Sequence, residues 1–212
     1  MKIFWEVLSK EQSAILPYLS LLKEKNFYLA GGTALALQIK HRTSLDFDFY
    51  TEEEFLPEDI IELFRKGTRE ITEVQTAKGT LICRIKGMEV SLFHYPYSLL
   101  EPLVKSKNLN LVSLKDIAAM KLIAIIQRGT KRDFFDLYFL INKIGLRGII
   151  KLTQKKYPPF NPYLALQALT YFEDAEKENF SERKIVFFKP LSWDKVKEFF
   201  VEEVRSFKKK LG

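Results

Sequence analysis

The stretch FYLAGGTALALQIKHRTSLDFDFYT, residues 27–51, predicts the arrangement of the first part of this chain. Phe27 to Ala30 is a short apolar run, which is typical of a buried strand. Gly31 and Gly32 follow it and allow the backbone to turn sharply or another group to approach closely. Thr33 is the expected N-cap of a helix from Ala34 to Lys40, which opens with the good helix formers alanine and leucine.

Two aspartates lie on a second predicted strand, LDFDFY, at residues 45–50. Residues two apart in a strand face the same way, so Asp46 and Asp48 point together while the leucine and phenylalanines point into the core. Neighbouring carboxylates repel each other, and a hard divalent cation such as Mg²⁺ or Mn²⁺ removes that repulsion because it takes one or two carboxylates together with substrate phosphates. We therefore expect Asp46 and Asp48 to be metal ligands.

The start of the predicted helix is a natural seat for phosphate, because its unpaired N–H groups and the positive end of the helix dipole favour an anion. Gly31, Gly32 and Thr33 are the candidate nucleotide-binding residues here, and Arg42 is a candidate for balancing phosphate charge. Alone, a glycine pair before a helix is most often a turn, and Asp-x-Asp is most often a solvated strand face. Because the glycine pair and the Asp-x-Asp motif lie on consecutive elements, together they predict one site that carries out nucleotidyl transfer.

The motif GGTALAL…HRTSLDFDFY resembles the core motif of the AbiEii/AbiGii toxin family, and the match spans residues 28–50. Members of that family are nucleotidyltransferase-like proteins of the DNA polymerase β superfamily. The resemblance implies an α/β (α+β) polymerase-β-like nucleotidyltransferase fold, with a small mixed sheet followed by a helical C-terminal part. It also implies a toxin of an AbiE-like toxin–antitoxin pair, with tRNA 3′ ends as the acceptor and a separately encoded antitoxin as a partner.

Two later motifs resemble the same family. In SLKDIAAMKLIAII, residues 113–126, spacing alone favours a surface lysine at Lys121, whereas the resemblance makes Lys121 a contact to the substrate phosphates. In KRDFFDL, residues 131–137, spacing alone permits a salt-bridged helix start in which Arg132 and Asp136 pair. The resemblance instead implies that Asp133 is needed for activity, as a further metal contact or as the base that orients the nucleophile, and that Asp136 supports it.

One departure from the superfamily pattern keeps two other functions open. Polymerase-β-like enzymes generally carry a third carboxylate on a strand beside the Asp-x-Asp strand, and the corresponding run here, EVSLF at residues 89–93, has Ser91 instead. Glu89, on the same face, is the candidate substitute. The first alternative is a catalytically silent relative that binds nucleic acid or nucleotide. The second is a transferase that modifies a protein or a small molecule.

Composition is that of a folded globular protein, since 47% of the 212 residues are hydrophobic and 14% are aromatic. The net charge of +7 favours a polyanionic partner, nucleic acid before membrane. A single cysteine, Cys83, excludes an internal disulfide and argues, with only two histidines, against a zinc site. No apolar run approaches the roughly 20 residues that span a bilayer, and the N-terminus has no signal-peptide pattern. We therefore expect a cytoplasmic protein.

The predicted organisation is a nucleotidyltransferase core at residues 1–110 and a helical C-terminal region at residues 111–212 that packs on the core. Within the core, alternating apolar residues predict a hairpin of two strands, Thr80 to Ile85 and Met88 to Phe93, around the turn Lys86-Gly87. Ser192 is the expected cap of a last amphipathic helix.

Together, these patterns predict metal-dependent transfer of an NMP from an NTP to an acceptor hydroxyl, with release of pyrophosphate. The predicted site comprises four catalytic residues and five nucleotide-binding residues, with Lys121 in both sets: Asp46, Asp48, Lys121 and Asp133, and Gly31, Gly32, Thr33, Arg42 and Lys121.

Overall fold

A seven-stranded mixed sheet dominates the first half of the chain in a computed structural model that describes residues 2–178 and 185–210. The chain divides into two structural units, Met1–Ser113 and Leu114–Gly212. All strands of the sheet belong to the first unit, and the second is helical. This is the α/β architecture with a helical C-terminal part that the sequence predicts.

The sheet has the strand order β3-β4-β5-β2-β1-β7-β6. Its strands are β1 (Tyr28–Leu29), β2 (Phe47–Thr51), β3 (Ile71–Ala77), β4 (Thr80–Ile85), β5 (Met88–His94), β6 (Val104–Lys105) and β7 (Asn110–Leu111). The pairs β2–β5 and β1–β7 are parallel, and the other neighbouring pairs are antiparallel. The pair β6–β7 has no sequence signal, because strands of two residues cannot show alternation.

The helices of the first unit are α1 (Lys10–Leu19), α2 (Gly31–Ile39) and α3 (Pro57–Arg65). Two short 3₁₀ helices occupy Trp5–Val7 and Ser20–Lys25. In the second unit, the described helices are α4 (Leu114–Gln127), α5 (Lys131–Ile144), α6 (Leu146–Lys156), α7 (Pro162–Ala168), α8 (Glu173–Glu176) and α9 (Trp193–Lys209). None of the helices in these ranges combines the length and the apolar character that crossing a membrane requires.

The predicted hairpin is confirmed, with β4 and β5 joined at Lys86 and Gly87. Both turn residues have positive φ, 50° and 79°, as a two-residue type I′ turn requires. The inward residues of the hairpin are buried and include Cys83, whose pKa is raised to about 11 by burial. The Cys83 thiol is therefore neutral and unreactive near pH 7.

The two faces of the sheet differ in character. On one face, alternate residues of the central strands are fully buried: Phe47, Phe49, Leu81, Cys83, Ile85, Val90 and Leu92. Helices α1, α2 and α3 contact β5, β2 and β3, respectively, and so contribute to this core. The residues between the buried ones form the other face, which is mostly only partly buried and carries the polar side chains considered below.

In the second unit, α4 packs against α5, α6 and α7. An aromatic cluster surrounds Phe134 of α5, whose ring centroid lies 5.2–5.6 Å from those of Phe172, Trp193 and Phe200. Ser192 caps α9 as predicted, since its hydroxyl accepts a hydrogen bond from the Lys195 N–H.

Candidate active site

The two aspartates of the Asp-x-Asp motif lie at the start of β2 and on its half-buried side. Asp48 alternates along the strand with the buried Phe47 and Phe49. Asp46 is the residue immediately before the strand, which begins at Phe47, and it is also partly exposed. The strand is therefore shorter at this end than the predicted residues 45–50, but the alternation that sets the two carboxylates apart from the core is present.

The start of α2 lies directly against Asp48. The backbone N–H of Ala30 donates to the Asp48 carbonyl at 2.9 Å, and Gly31 adopts a positive φ of 65°. A Cβ at Gly31 would lie 2.7 Å from the Asp48 Oδ2 atom, closer than real Cβ atoms come. Position 31 therefore needs glycine both for its backbone conformation and for the approach of the carboxylate.

The guanidinium of Arg42 lies against the same helix start. Its side chain is buried, and its Nη1 donates to the Thr43 carbonyl at 2.9 Å. Its Nη2 lies 2.5 Å from the place that a Cβ of Gly32 would take, so a side chain at position 32 would displace the guanidinium. A buried guanidinium beside the positive end of a helix dipole makes this a position that favours an anion.

Thr33 does not have the role that the sequence predicts for it. Helix α2 begins at Gly31 and has Ala30 at its N-cap position, so Thr33 lies within the first turn and is not the cap. The Thr33 hydroxyl donates a hydrogen bond to the carbonyl of Asp46. Thr33 thus ties the segment that carries Asp46 to the start of α2.

The position of the expected third carboxylate is beside Asp48. Strand β5 is the parallel neighbour of β2 and pairs Ser91 with Asp48. Glu89, the candidate substitute, pairs instead with Arg84 of β4, and the Arg84 Nη2 lies 3.6 Å from its Oε2. The pKa of Arg84 is raised, chiefly by its hydrogen bond to Glu73 and further by the charges of Glu73, Glu89 and Asp46.

The donor set of this face suits a hard divalent cation. Within the described residues, no three His, Cys, Asp or Glu side chains form a group that could hold a metal ion. Asp46 and Asp48 offer carboxylate oxygens on the half-buried side of β2. Mg²⁺ and Mn²⁺ accept one or two such carboxylates and complete their shells with water and phosphate oxygens, so the residues present fit such an ion.

The later candidates form an ion cluster within the second unit. The ammonium of Lys121, on α4, lies 2.9 Å from Oδ1 of Asp133 and 2.6 Å from Oδ2 of Asp136, both on α5. All three side chains are buried. Asp133 and Asp136 therefore share a face as their spacing predicts, but Lys121 is a buried member of an ion cluster and not a surface lysine.

Arg128 belongs to this cluster, and the sequence motifs do not single it out. Its Nε and Nη2 donate to the two carboxylate oxygens of Asp133 at 2.8 and 3.1 Å, and the Thr130 hydroxyl donates to Asp133 at 2.7 Å. The Arg128 side chain is 60% exposed. Arg128 could have been identified from the local sequence, because the turn at Gly129 and Thr130 brings the end of α4 back onto the first turn of α5.

Asp133 is held in its ionised form. Burial acts to raise the pKa of its carboxyl, but the Lys121 ammonium, Arg128 and the Thr130 hydroxyl outweigh burial and lower that pKa below its usual range. A general base works best with a pKa near the working pH. The geometry around Asp133 is accordingly better suited to holding cations in place than to accepting a proton.

The ion pair that the spacing permits between Arg132 and Asp136 does not form. Asp136 faces α4 and contacts Lys121, whereas the Arg132 Nε lies 2.9 Å from Oε1 of Glu178. The four-residue spacing on a helix permits the predicted pair, but a buried ammonium on the neighbouring helix competes for the carboxylate.

The predicted site residues thus form two groups, one in each unit. In the first unit, contacts bring Gly31, Gly32, Thr33 and Arg42 together with Asp46 and Asp48 around the start of α2. In the second unit, Lys121 and Asp133 form a cluster with Arg128 and Asp136.

Comparison with known protein families identifies the family of this chain. A family model described as the nucleotidyl transferase AbiEii toxin of type IV toxin–antitoxin systems matches residues 20–100 and 89–208. The chain belongs to the AbiEii family. Both groups of candidate residues fall within the matched segments. The resemblance deduced from the motifs is confirmed over most of the chain.

Individual proteins are similar to this chain in sequence or in fold. An uncharacterized protein of Aquifex aeolicus (strain VF5) is 40% identical over 207 residues, which cover 94% of this chain and 97% of that protein. Among solved structures, MenT4, a nucleotidyltransferase toxin from Mycobacterium tuberculosis H37Rv, has a TM-score of 0.60 at 17% identity, covering 91% of this chain and 82% of that one. JHP933 from Helicobacter pylori has a TM-score of 0.58 at 16% identity, covering 99% and 94%. These structures share the fold of this AbiEii-family chain.

Proposed function

We propose that this AbiEii-family protein is a metal-dependent nucleotidyltransferase that transfers an NMP from an NTP to an acceptor hydroxyl on tRNA. We further propose that it is the toxin of an AbiE-like pair whose antitoxin is separately encoded. One observation carries the proposed chemistry: the glycine start of α2, with the buried guanidinium of Arg42 beside it, lies directly against the carboxylate of Asp48. An anion-favouring helix start beside carboxylates on a sheet face supports binding of a nucleoside triphosphate with a divalent cation.

In this proposal, Asp46 and Asp48 hold Mg²⁺ or Mn²⁺, which when bound offsets the charge on the triphosphate. The N–H groups at the start of α2 bind the β- and γ-phosphates, and the Arg42 guanidinium adds a fixed positive charge. Thr33 keeps Asp46 in place through its hydrogen bond to the Asp46 carbonyl. The acceptor hydroxyl releases its proton to solvent as its oxygen forms a bond to the α-phosphorus, the bond from that phosphorus to the bridging oxygen of the β-phosphate breaks, and pyrophosphate leaves with the electron pair of that bond. Such a reaction needs mainly positioning and charge neutralisation from the protein.

In the second unit, we propose that Lys121 contacts the substrate phosphates and that Asp133 holds it in place. The Lys121 ammonium lies 2.9 Å from Oδ1 of Asp133, and Arg128 donates to the same carboxylate through two nitrogens. A cation near a triphosphate offsets charge that develops on the leaving pyrophosphate.

The acceptor and the biological role rest on family membership and charge. The family description names a toxin of toxin–antitoxin systems, and the net charge of +7 favours a polyanionic acceptor. A transferase with a protein or small-molecule acceptor has the same phosphate chemistry and differs only in what supplies the hydroxyl.

The test is incubation of the pure protein with Mg²⁺, total tRNA and each α-³²P-labelled NTP in turn. Label on tRNA is expected in the wild type and should be lost in Asp46→Asn, which removes one charge from the proposed metal site. Asp59→Asn, the same change on the exposed surface of α3, is the matched control and should label tRNA as the wild type does. Circular dichroism establishes that both variants are folded.

Three other outcomes would change the proposal. Label on tRNA that is equal in wild type and Asp46→Asn would exclude the proposed chemistry. Label on a protein or small molecule with no label on tRNA would replace the acceptor while keeping the reaction. NTP binding without transfer to any acceptor would favour a silent relative, for which Ser91 beside Asp48 is the structural reason.

A further inference from the structure

The segment that carries Asp46 is held by hydrogen bonds from side chains. Residues 43–46 lie between α2 and β2 and belong to no helix or strand. Each of their four carbonyls accepts from a side chain: that of Thr43 from the Arg42 Nη1, those of Ser44 and Leu45 from the Gln12 Nε2, and that of Asp46 from the Thr33 hydroxyl. The backbone position of Asp46 therefore depends on three side chains, and Gln12 is the one that lies outside the candidate site residues.

Gln12 reaches this segment from a distant part of the chain. It lies in the first turn of α1, 32 residues before Ser44 and 33 before Leu45, and its side chain is buried. Its amide NH₂ group donates to the Ser44 carbonyl at 2.8 Å and to the Leu45 carbonyl at 3.1 Å. Its Oε1 accepts from the Ser9 N–H at 3.0 Å. One planar amide thus connects the start of α1 to the segment before β2.

Capping of α1 explains only half of this arrangement. Ser9 and Gln12 form a capping box, for which the side chain at position 12 needs only an acceptor atom. Glutamate serves a capping box as well as glutamine does, but a carboxylate could not donate to the carbonyls of Ser44 and Leu45. The amide NH₂ group of Gln12 is therefore required by the segment and not by the helix.

We propose that Gln12 is a positioning residue that fixes the place of the Asp46 carboxylate in the proposed metal site. This inference rests on the proposed function, since it concerns the same ion. The Gln12 amide holds the carbonyls one and two residues before Asp46, and Thr33 holds the carbonyl of Asp46 itself. Together they restrict the backbone from which the carboxylate projects. Groups that hold a metal ligand in its orientation commonly change metal affinity about 10- to 100-fold.

The test measures metal binding without catalysis. Mn²⁺ alone is titrated into the full chain without NTP, and the electron paramagnetic resonance signal of the free ion gives the dissociation constant. Gln12→Met keeps a side chain of similar length but removes both donors, and it should weaken Mn²⁺ binding about 10- to 100-fold. Gln12→Asn retains an amide that is too short to reach both carbonyls, and it should also weaken binding. This second variant tests the proposal even if Gln12→Met fails to fold.

Two control variants separate positioning from stability. Gln38 is buried like Gln12, and its Nε2 donates to the carbonyls of Ala34 at 3.1 Å and Val112 at 3.0 Å. Gln38→Met therefore loses the same kind of hydrogen bonds away from Asp46 and should bind Mn²⁺ as the wild type does. Ser9→Ala removes the hydroxyl that caps α1 and leaves the Gln12 amide in place, so it should also keep the wild-type affinity for Mn²⁺.

A second measurement needs no metal. Relaxation of ¹⁵N nuclei in EDTA gives backbone order parameters, which fall where the backbone becomes flexible on the picosecond-to-nanosecond timescale. The order parameters of residues 44–46 should fall in Gln12→Met and stay at their wild-type values in Gln38→Met.

Several results would overturn the inference. Unchanged Mn²⁺ affinity in Gln12→Met, or unchanged order parameters of residues 44–46, would exclude the positioning role. An equal loss of Mn²⁺ affinity in Gln38→Met or Ser9→Ala would assign the effect to general destabilisation. If the wild type binds no Mn²⁺, or if Asp46→Asn binds it equally well, the metal site of the proposed function fails together with the inference. Wild-type binding that Gln12→Met retains would overturn the positioning role alone.

Discussion

Lys121 lies in a mostly apolar stretch of α4, and its ammonium contacts the carboxylates of Asp133 and Asp136. Sequence spacing favours a surface lysine at this position, because the four-carbon side chain can reach solvent from most helix faces. The structure buries it because two aspartates from the facing turn of α5 supply the negative charge that a buried ammonium needs. The sequence of α4 alone does not indicate that carboxylates 12 and 15 residues further along the chain contact Lys121.

We predict that Lys121→Met lowers the free energy of unfolding by about 3–5 kcal/mol, because two carboxylates are then buried without their ammonium. Urea denaturation followed by circular dichroism measures the change. Lys151→Met, a similar substitution at an exposed position of α6, is the control and should shift stability by less than about 0.5 kcal/mol.

The double variant Lys121→Met/Asp136→Leu tests the electrostatic cause of that loss. It also removes the Asp136 carboxylate, and Asp133 keeps its contact with Arg128. The double variant should therefore be more stable than Lys121→Met alone. An equal or lower stability would mean that side-chain packing, and not buried charge, dominates at this position.

At the scale of secondary-structure elements, the parallel pairing of β2 with β5 decides which side chain lies beside Asp48. Alternation in the sequence predicts both strands and the face to which each residue belongs. It does not predict that β5 lies between β4 and β2, since that order depends on how the helices cover the buried face. The register then places Ser91, and not Glu89, next to Asp48.

We predict that Ser91→Asp adds a carboxylate to the proposed metal site. In EDTA the variant should melt at a lower temperature than the wild type, because a third negative charge is buried near Asp46 and Asp48. Adding Mg²⁺ or Mn²⁺ should raise its melting temperature by more than it raises that of the wild type, since an ion that binds only the folded state stabilises it.

Differential scanning fluorimetry across a range of metal concentrations gives both melting temperatures for Ser91→Asp. Ser91→Asn has a similar size without the charge and should respond to metal as the wild type does. If Ser91→Asp and Ser91→Asn respond alike, the neighbourhood of Asp48 is not a cation site.

At the start of α2, the local sequence pattern also gave an incomplete prediction. Thr33 has the residue type of an N-cap, but the glycine at position 31 can adopt a positive φ and lets the helix begin at that residue. The Thr33 hydroxyl then satisfies the Asp46 carbonyl, a partner that comes from 13 residues further along the chain. Thr33 thus makes a tertiary hydrogen bond to Asp46 in place of the local N-cap hydrogen bond that its residue type predicts.

At the scale of the whole molecule, the boundary between the two units falls after Ser113. The last strand, β7, pairs with β1 in the middle of the chain's sheet, and the Gln38 side chain of α2 donates to the Val112 carbonyl at 3.0 Å. Residues 104–112 therefore belong to the first unit, although little in their sequence indicates a strand.

We predict that a fragment of residues 1–113 folds by itself, because it contains the whole sheet and the helices α1 to α3 that contribute to its buried face. It should unfold in urea in a single cooperative transition and give dispersed NMR spectra. A fragment of residues 1–100 lacks β6, β7 and the buried Leu111, and it should unfold at lower urea concentration. A fragment 1–113 without a cooperative transition would show that the first unit depends on the second.

The sequence by itself determined the family, the alternation of the central strands, the paired aspartates and the glycine helix start, because each of these depends on residues that are close together in the chain. The tertiary structure decided the neighbours: Ser91 beside Asp48 and Arg42 against Gly32. It also decided that Lys121 is buried. These outcomes depend on strand order and helix packing, in which many weak contacts between distant segments act together, and no single stretch of sequence contains them.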